Sequence, residues 1–323
     1  MKLERMLEMC RRDQWKVGDL DWSQPPRKLS KSDEIAIVQL FTDMAGIERM
    51  AGALFEEQRR KTDNPILREI FSTFVTDEVR HSHAAQMLAD YYDVHKYKAY
   101  LPHPALTKFY PHFVKTIRFL SPEIATVYIT TGELILDVAL LRSINDYVAD
   151  DMSQRAMDLI NRDESRHIAI DFHMSEYYAS KEYLEELKKE PRRPIDEQAA
   201  AWAAFAGLFY YARPFFKSVF FEPMDLVDPS GKRIQEAFKR MQLLSLKDGV
   251  LDRPFPRFLD RMRILFEHRV AGPILGPAIV RLLGVDPRFL VTLYDDADAQ
   301  RARKMSFDEM AEEAVSLKYQ ATA

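Results

Sequence analysis

The sequence predicts an all-α protein with a core of four long helices and further helices toward the C-terminal end. Only 10 glycines occur among 323 residues, which is few for a sheet-rich chain with many tight turns. Apolar residues recur at helical spacing almost throughout the chain after Lys31, and no segment shows the strict alternation of an amphipathic strand. Prolines and cap-forming residues divide this pattern into helices of bundle length.

Start signals in the sequence define the four long helices. A serine, asparagine or aspartate precedes each helix, and these side chains can accept hydrogen bonds from the free N–H groups of the first turn. Proline follows directly at Asn64-Pro65 and at Ser121-Pro122, where it suits the first helical turn. Several prolines between the second and third helices predict a broken connection that carries a short helix. The predicted long helices cover about 31–61, 64–92, 121–148 and 151–180.

A change in composition near residue 190 predicts two parts. Residues 181–197 are highly charged and contain Glu-Pro-Arg-Arg-Pro at 190–194, which is typical of a linker. Beyond it the apolar helical pattern returns in shorter pieces. We predict a four-helix core over 31–180 and a helical C-terminal extension over 195–318. The extension carries too much apolar surface to remain exposed, so we expect it to pack on the core. The alternative is an independent domain on a flexible linker. We also expect a homodimer, to whose contact the extension could contribute.

Charge, cysteine content and hydropathy limit the classes of function. The net charge is −4 and the pI is near 6.1, so the chain lacks the basic surface typical of nucleic-acid binding. A single cysteine, Cys10, excludes an internal disulfide. The longest apolar run, at 199–212, is too short to span a membrane, and no signal peptide precedes the helices. We therefore expect a cytoplasmic protein without a membrane span.

Two five-residue segments repeat one pattern of metal-binding residue types. They read Asp-Glu-Val-Arg-His at 77–81 and Asp-Glu-Ser-Arg-His at 163–167. In each segment Glu-x-x-His places a carboxylate and an imidazole one helical turn apart on the same face, where both can reach one metal ion. One copy would be a weak signal because such short matches arise by chance. Two copies that share Asp and Arg at the same offsets favour a paired site.

Two further glutamates complete the predicted site. Glu48 precedes Glu78 by 30 residues and Glu133 precedes Glu164 by 31, with a turn signal near each midpoint. About 15 residues along one helix cover ~22 Å, so each pair returns to the same level of the bundle. All four lie on apolar stripes, where unpaired carboxylates are costly and repel one another. We therefore predict two divalent cations, bound by Glu48, Glu78, His81, Glu133, Glu164 and His167.

The order Glu, Asp-Glu-x-Arg-His, Glu, Asp-Glu-x-Arg-His, over roughly residues 35–175, resembles the ferritin-like di-iron carboxylate superfamily. It is most similar to the oxygen-activating branch, which includes ribonucleotide reductase small subunits and related oxidases, acyl-carrier-protein desaturases and arylamine N-oxygenases. The resemblance implies a ferritin-like four-helix bundle, two iron ions, O2 as co-substrate and an electron donor such as a ferredoxin or a reductase. It also implies that Asp163 holds His81 and that Asp77 holds His167.

No subfamily of this branch is matched in full. Ala85 stands where a radical-generating reductase subunit has tyrosine, and Ile160 stands where arylamine N-oxygenases have an additional histidine. Leu136 and Asp137 occupy the positions at which hydrocarbon monooxygenases and desaturases commonly have a threonine. The reaction type therefore stays open among hydroxylation, N-oxygenation, desaturation and oxidative cleavage.

Two residues near Glu133 are candidates for further roles. Asp137 follows it by one helical turn and is a candidate proton relay or polar group at the substrate face. The alternative is a solvated or salt-bridged aspartate, for which Arg142 is a candidate partner. Tyr128 precedes it by five residues and is a candidate for electron transfer. Structural packing is the better explanation for one tyrosine among 14.

The leading hypothesis is a non-haem di-iron oxidoreductase that activates O2 on a small or moderately apolar organic substrate. A mixed Mn/Fe pair is compatible with the same ligands. The first alternative is an iron-storage or peroxide-scavenging protein of the ferritin or rubrerythrin kind, which the long C-terminal extension argues against. The second alternative is a metal-free helical interaction protein.

Overall fold

The computed structural model describes residues 1–189, 191, 193–283 and 286–317. Within these ranges every extended regular element is a helix and no strand occurs, so the all-α prediction is confirmed. The helices are α1 (Leu3–Arg12), α2 (Lys31–Lys61), α3 (Pro65–Tyr92), α4 (Pro104–Ile117), α5 (Pro122–Val148), α6 (Asp151–Ala179), α7 (Lys181–Leu187), α8 (Ile195–Phe215, continued over 216–227), α9 (Lys232–Ser245), α10 (Pro254–Glu267), α11 (Ala271–Leu283), α12 (Asp296–Lys304) and α13 (Phe307–Leu317).

The four long helices begin close to the predicted positions because their caps act locally. The side chains of Ser30, Asn64 and Asp150 accept hydrogen bonds from backbone N–H groups in the first turns of α2, α3 and α6. Between α5 and α6 the chain reverses at Ala149, whose φ of 44° lies in the left-handed region that commonly ends helices. The predicted short helix in the broken connection is α4.

The long helices pack as two hairpins, α2 with α3 and α5 with α6, and the hairpins face each other. Three phenylalanines fill the space beside the predicted metal layer, and the rings of Phe55 and Phe74 meet edge to face at 5.2 Å. Gly52 lets α2 approach α3 closely, because a Cβ atom there would lie 3.2 Å from the Cβ atom of Glu78. The bundle interior is therefore tightly packed around that layer.

Helix α5 is unusually apolar, with a hydropathy of 1.7 over its most apolar window, and its 27 residues are enough to cross a membrane by length and composition. However, 72% of that window is buried inside the protein. The helix also carries Glu133 and Asp137, both buried among its neighbours. Because the apolar side chains face other helices, α5 is a core helix of the bundle.

The middle of α5 is wound as a π-helix over Leu134–Leu141, which the sequence analysis did not predict. Such segments insert extra residues into a turn, occur frequently at functional sites, and change which side chains face inward. This one begins directly after Glu133 and includes Asp137. A second π segment, Phe216–Phe221, lies within α8. Local hydrophobic periodicity does not distinguish such segments from α-helix.

The C-terminal helices contact the outside of the bundle. Helix α8 packs on α4, α9 on the π segment of α5, and α13 on α6. The rings of Phe109 in α4 and Phe215 in α8 stack with centroids 4.2 Å apart, and both are buried. The division into two domains stays a prediction. Glu190 and Arg192 of the proposed linker, and Lys318 at the proposed end of the extension, lie outside the described residues.

The stacked pair provides a test of how firmly the C-terminal helices are attached. Phe215→Ala should lower the free energy of unfolding by about 3–5 kcal/mol, because it leaves a cavity between α4 and α8. Trp202→Ala, on the same helix but 75% exposed, should change it by no more than about 0.5 kcal/mol. Urea unfolding followed by circular dichroism measures both. Equal effects of the two substitutions would contradict the packing described above.

Candidate metal centre

Six side chains from the four long helices meet in one buried layer, and each is at most 3% exposed. Helices α2 and α5 each contribute one glutamate, whereas α3 and α6 each contribute a glutamate and a histidine from one Glu-x-x-His segment. The structure therefore brings together every metal ligand that the sequence predicts. They are Glu48, Glu78, His81, Glu133, Glu164 and His167.

These side chains form two overlapping groups, and within each group the potential ligand atoms lie within 4.8 Å of one another. Glu48 and His81 belong to the first group, and Glu133 and His167 belong to the second. Glu78 and Glu164 belong to both. Because a carboxylate has two oxygens, each shared glutamate can contact two ions at once. The layer could therefore hold metal ions at two adjacent positions.

The ring nitrogens Nδ1 of both histidines point at the shared carboxylates. The Nδ1 atoms of His81 and His167 lie 2.8 Å and 2.7 Å from the two oxygens of Glu164. Even so, neither Nδ1 atom forms a hydrogen bond of acceptable geometry. The two carboxylate oxygens of Glu78 also form none. Leaving such buried polar atoms unsatisfied costs about 1–3 kcal/mol each. A cation between them would satisfy all of these atoms, so the residues present fit a metal centre.

The protonation of the layer reflects this crowding. Burial, together with repulsion from neighbouring glutamates, raises the pKa of Glu48 and of Glu133 well above the usual range. Burial opposes charge on the histidines, yet the nearby Glu164 raises the pKa of His81 and His167 well above its ordinary value. The two histidines in turn hold the pKa of Glu164 well below normal, against the effect of burial. Metal binding must therefore displace protons.

Each histidine is held by an aspartate from the opposite hairpin. The Nε2 atom of His81 lies 3.2 Å from an oxygen of Asp163, and that of His167 lies 3.5 Å from an oxygen of Asp77. Both aspartates are fully buried. These are the pairings that the resemblance implies. A carboxylate at Nε2 fixes the ring so that Nδ1 faces the glutamates, and it makes that nitrogen a better ligand.

The N-terminal segment completes this network, and the sequence analysis missed it. The Nε1 atom of Trp15 donates a hydrogen bond of 2.7 Å to Asp163, and Arg80 reaches both Asp77 and Asp163 at 2.9 and 3.0 Å. Although burial acts in the opposite direction, His81, Arg166 and the hydrogen bond from Trp15 lower the pKa of Asp163 to about 2. Asp163 therefore stays ionised. No local pattern marks Trp15, because its partner lies 148 residues further along the chain.

Asp137 lies inside the bundle and is fully buried, so the solvated alternative does not hold. Arg142, its suggested partner, instead lies 3.5 Å from Asp146. Asp171, one turn after His167, is also buried next to the layer and was not predicted. Burial and the negative charges of Glu164 and Asp137 raise its pKa well above the usual range. The signal for Asp171 in the sequence was its spacing of four residues from a predicted ligand.

An apolar cavity of about 360 Å³ adjoins the layer at Glu133. Helices α2, α4 and α5 form part of its wall, and α8, α9 and α10 form much of the rest. Tyr128 lies in this wall, where its ring stacks on Phe255 at 5.4 Å and burial raises its pKa to about 12. These contacts are those of a packing residue. The C-terminal extension thus shapes the space next to the candidate metal centre.

Comparisons with known proteins give no relative from which a function could be transferred. No family model matches the chain, and neither a curated protein nor a solved structure is significantly similar to it. What can be said of function therefore depends on the geometry above and on the resemblance of the motif.

Removing one carboxylate should stabilise the metal-free protein. Glu48→Gln relieves burial of a charge whose pKa is raised in the folded state, so we expect a gain of ~1–4 kcal/mol at neutral pH in the presence of a chelator. The gain should shrink as the pH falls toward about 4.3, the ordinary value for glutamate, because the wild-type side chain is then protonated in both states. Chemical denaturation at several pH values measures it.

Glu56→Gln is the matched control for that experiment. Glu56 lies two turns further along α2, and its hydrogen bonds with Arg59 hold its pKa below the usual range. Its substitution should leave stability unchanged or slightly reduced. A loss of stability in metal-free Glu48→Gln would contradict the electrostatic account of the layer.

Proposed function

We propose that this chain is a ferritin-like di-iron oxidoreductase that activates O2 on an organic substrate of mostly apolar character. The observation that supports it most is the pair of overlapping ligand groups that share Glu78 and Glu164. Each group offers three carboxylates and one imidazole, which are donors that suit iron or manganese. The arrangement of two lone glutamates and two Glu-x-x-His segments is the one used by di-iron bundles.

The chain's own residues have defined tasks in this proposal. The bound metal pair would supply the electrons that reduce O2. Asp77 and Asp163 fix the two imidazoles, and the apolar wall beside Glu133 excludes water from the substrate side. Asp171, a buried carboxyl group with a raised pKa, can hold a proton one turn from His167. Turnover would also require an external donor such as a ferredoxin or a reductase.

The cavity favours an enzyme over iron storage. A storage protein needs a route for hydrated ions, and such a route is lined by polar or acidic groups. The wall next to Glu133 is instead dominated by aliphatic and aromatic side chains contributed partly by the C-terminal helices. Such an apolar wall suits an organic substrate. The reaction type, the use of Mn/Fe in place of Fe/Fe, homodimer formation and a cytoplasmic location remain predictions.

Iron stoichiometry tests the proposal directly. Protein loaded anaerobically with Fe(II) and desalted should retain close to two ions per chain, because two ligand groups are present. Glu133→Ala and Glu48→Ala should each lose retained iron and abolish rapid O2 consumption by the loaded protein, with helical circular dichroism preserved. Glu56→Ala, on the surface of α2, is the control and should behave as the wild type.

Each of the other outcomes would indicate a different class of function. Retention of one ion or none would exclude the dinuclear centre, and retention of none would favour a metal-free interaction protein. Uptake and oxidation of many ions per chain into a mineral would favour iron storage. Near-normal O2 consumption in Glu133→Ala would show that this layer is not where O2 reacts.

A further inference from the structure

We infer that the cavity beside Glu133 binds an elongated apolar molecule with an anionic end, and that Arg253 holds that end. This inference rests on the proposed function, because it names the substrate class of the same site. It concerns binding, however, and binding can be measured without metal. It depends on three features: the composition of the cavity wall, its length, and a buried guanidinium group that has no carboxylate partner in the part of the chain that the structure describes.

The wall of the cavity is suited to an alkyl or aryl chain. Most of its surface is carbon, and its volume of about 360 Å³ falls in the range of pockets that enclose small organic ligands. Aromatic rings come from the helices on both sides of it. Those from α4, α8 and α10 include Phe109, Phe113, Phe215, Phe216, Phe255 and Phe258. An apolar ligand would release water from this surface on binding.

The cavity is long in one direction. Its lining follows α5 from Glu123 to Leu136, a separation of thirteen residues that corresponds to ~20 Å along the helix axis. Glu133 of the metal layer lies near one end of this stretch. A compact substrate such as a single ring would leave most of that length empty. The shape therefore favours an extended molecule.

Arg253 also lines the cavity, and its guanidinium group is buried and only partly hydrogen-bonded. The residue is 4% exposed. One terminal nitrogen donates to the carbonyl oxygen of Ser180 at 3.1 Å, the guanidinium lies 5.8 Å from the ring of Tyr183, and the Nε atom has no hydrogen-bond partner. Among the described residues no carboxylate lies within ion-pair distance of this guanidinium group.

A second arginine of the cavity wall, Arg263, forms ion pairs that balance its charge. The guanidinium of Arg263 lies 2.6 Å from Asp260 and 3.1 Å from Glu267, so its charge is balanced. A buried cation without such a partner is costly. A ligand carboxylate can supply the partner, because guanidinium N–H groups match its two oxygens. The difference between the two arginines points to Arg253 as the anion-binding group.

The position of Arg253 fixes the orientation of the ligand. Its hydrogen-bond acceptor, Ser180, directly follows α6 and lies sixteen residues after Glu164, which is ~24 Å along the axis. The anionic end is therefore held far from the metal layer. The chain runs from Arg253 toward Glu133 and presents carbons remote from the anionic group to the metal centre.

Binding of defined probes to the metal-free wild-type protein tests this inference. Dodecanoate, below its micelle concentration, should bind at least about tenfold more tightly than dodecan-1-ol, because only the carboxylate can form charge-assisted hydrogen bonds with Arg253. Dodecyl phosphate distinguishes a carboxylate site from a general anion site. Benzoate should bind far more weakly than dodecanoate, because it cannot fill the cavity. Isothermal titration calorimetry measures all four.

Variants assign the binding to these residues. Arg253→Met should weaken dodecanoate binding at least about tenfold and leave dodecan-1-ol binding unchanged. Arg257→Met, one turn away and paired with Asp252 outside the cavity, is the control and should change neither. Ala212→Phe adds a ring to the cavity wall and should weaken both probes. Unchanged dodecanoate affinity in Arg253→Met would overturn the inference.

The result remains decisive if Arg253→Met does not fold. Equal affinity of the wild type for dodecanoate and dodecan-1-ol would by itself remove the anionic end group from the proposal, and tight benzoate binding would remove the extended chain. Failure here is distinguishable from failure of the proposed function. Retention of two irons per chain together with no dodecanoate binding would overturn only the substrate class. Dodecanoate binding by a protein that retains no iron after anaerobic loading would overturn only the metal centre.

Discussion

The constraint on which the rest of the structure depends is the concentration of four carboxylates and two imidazoles in one dry layer. Burial raises the cost of each charge, and the glutamates repel one another. The protein compensates with the two histidines around Glu164 and with aspartate–arginine pairs behind them. Long, well-capped helices are needed to hold these groups, because a layer under such repulsion would otherwise open. The same repulsion is what makes the layer suited to cations.

The surroundings of the layer are asymmetric, and that asymmetry has chemical consequences. Behind the histidines lies a polar network that includes Asp163 and the indole of Trp15, contributed by the N-terminal segment. In front of Glu133 lies an apolar cavity closed in part by the C-terminal helices. Metal ligands are thus oriented from one side, while an organic molecule can approach from the other. Neither terminal part of the chain is therefore a simple appendage of the bundle.

The π segment of α5 connects these two sides. It starts directly after Glu133, carries the buried Asp137, and packs against α9 of the C-terminal extension. A helix wound with an extra residue in its turn presents side chains at angles that a regular α-helix does not. Within this segment Leu136 lines the cavity, while the neighbouring Asp137 is fully buried. One irregular segment of α5 therefore contributes side chains both to the cavity wall and to the bundle interior.

The sequence by itself determined the all-helical class, the bounds of the long helices and the six residues of the layer. These follow from local rules, since caps act within one turn and a hairpin returns a glutamate to the level of its partner. Only the tertiary structure decided that Trp15 binds Asp163, that Asp171 lies beside the layer, that α5 contains a π segment, and that Arg253 is buried in the wall of an apolar cavity. Those features depend on contacts between segments far apart in the chain, which no local periodicity encodes.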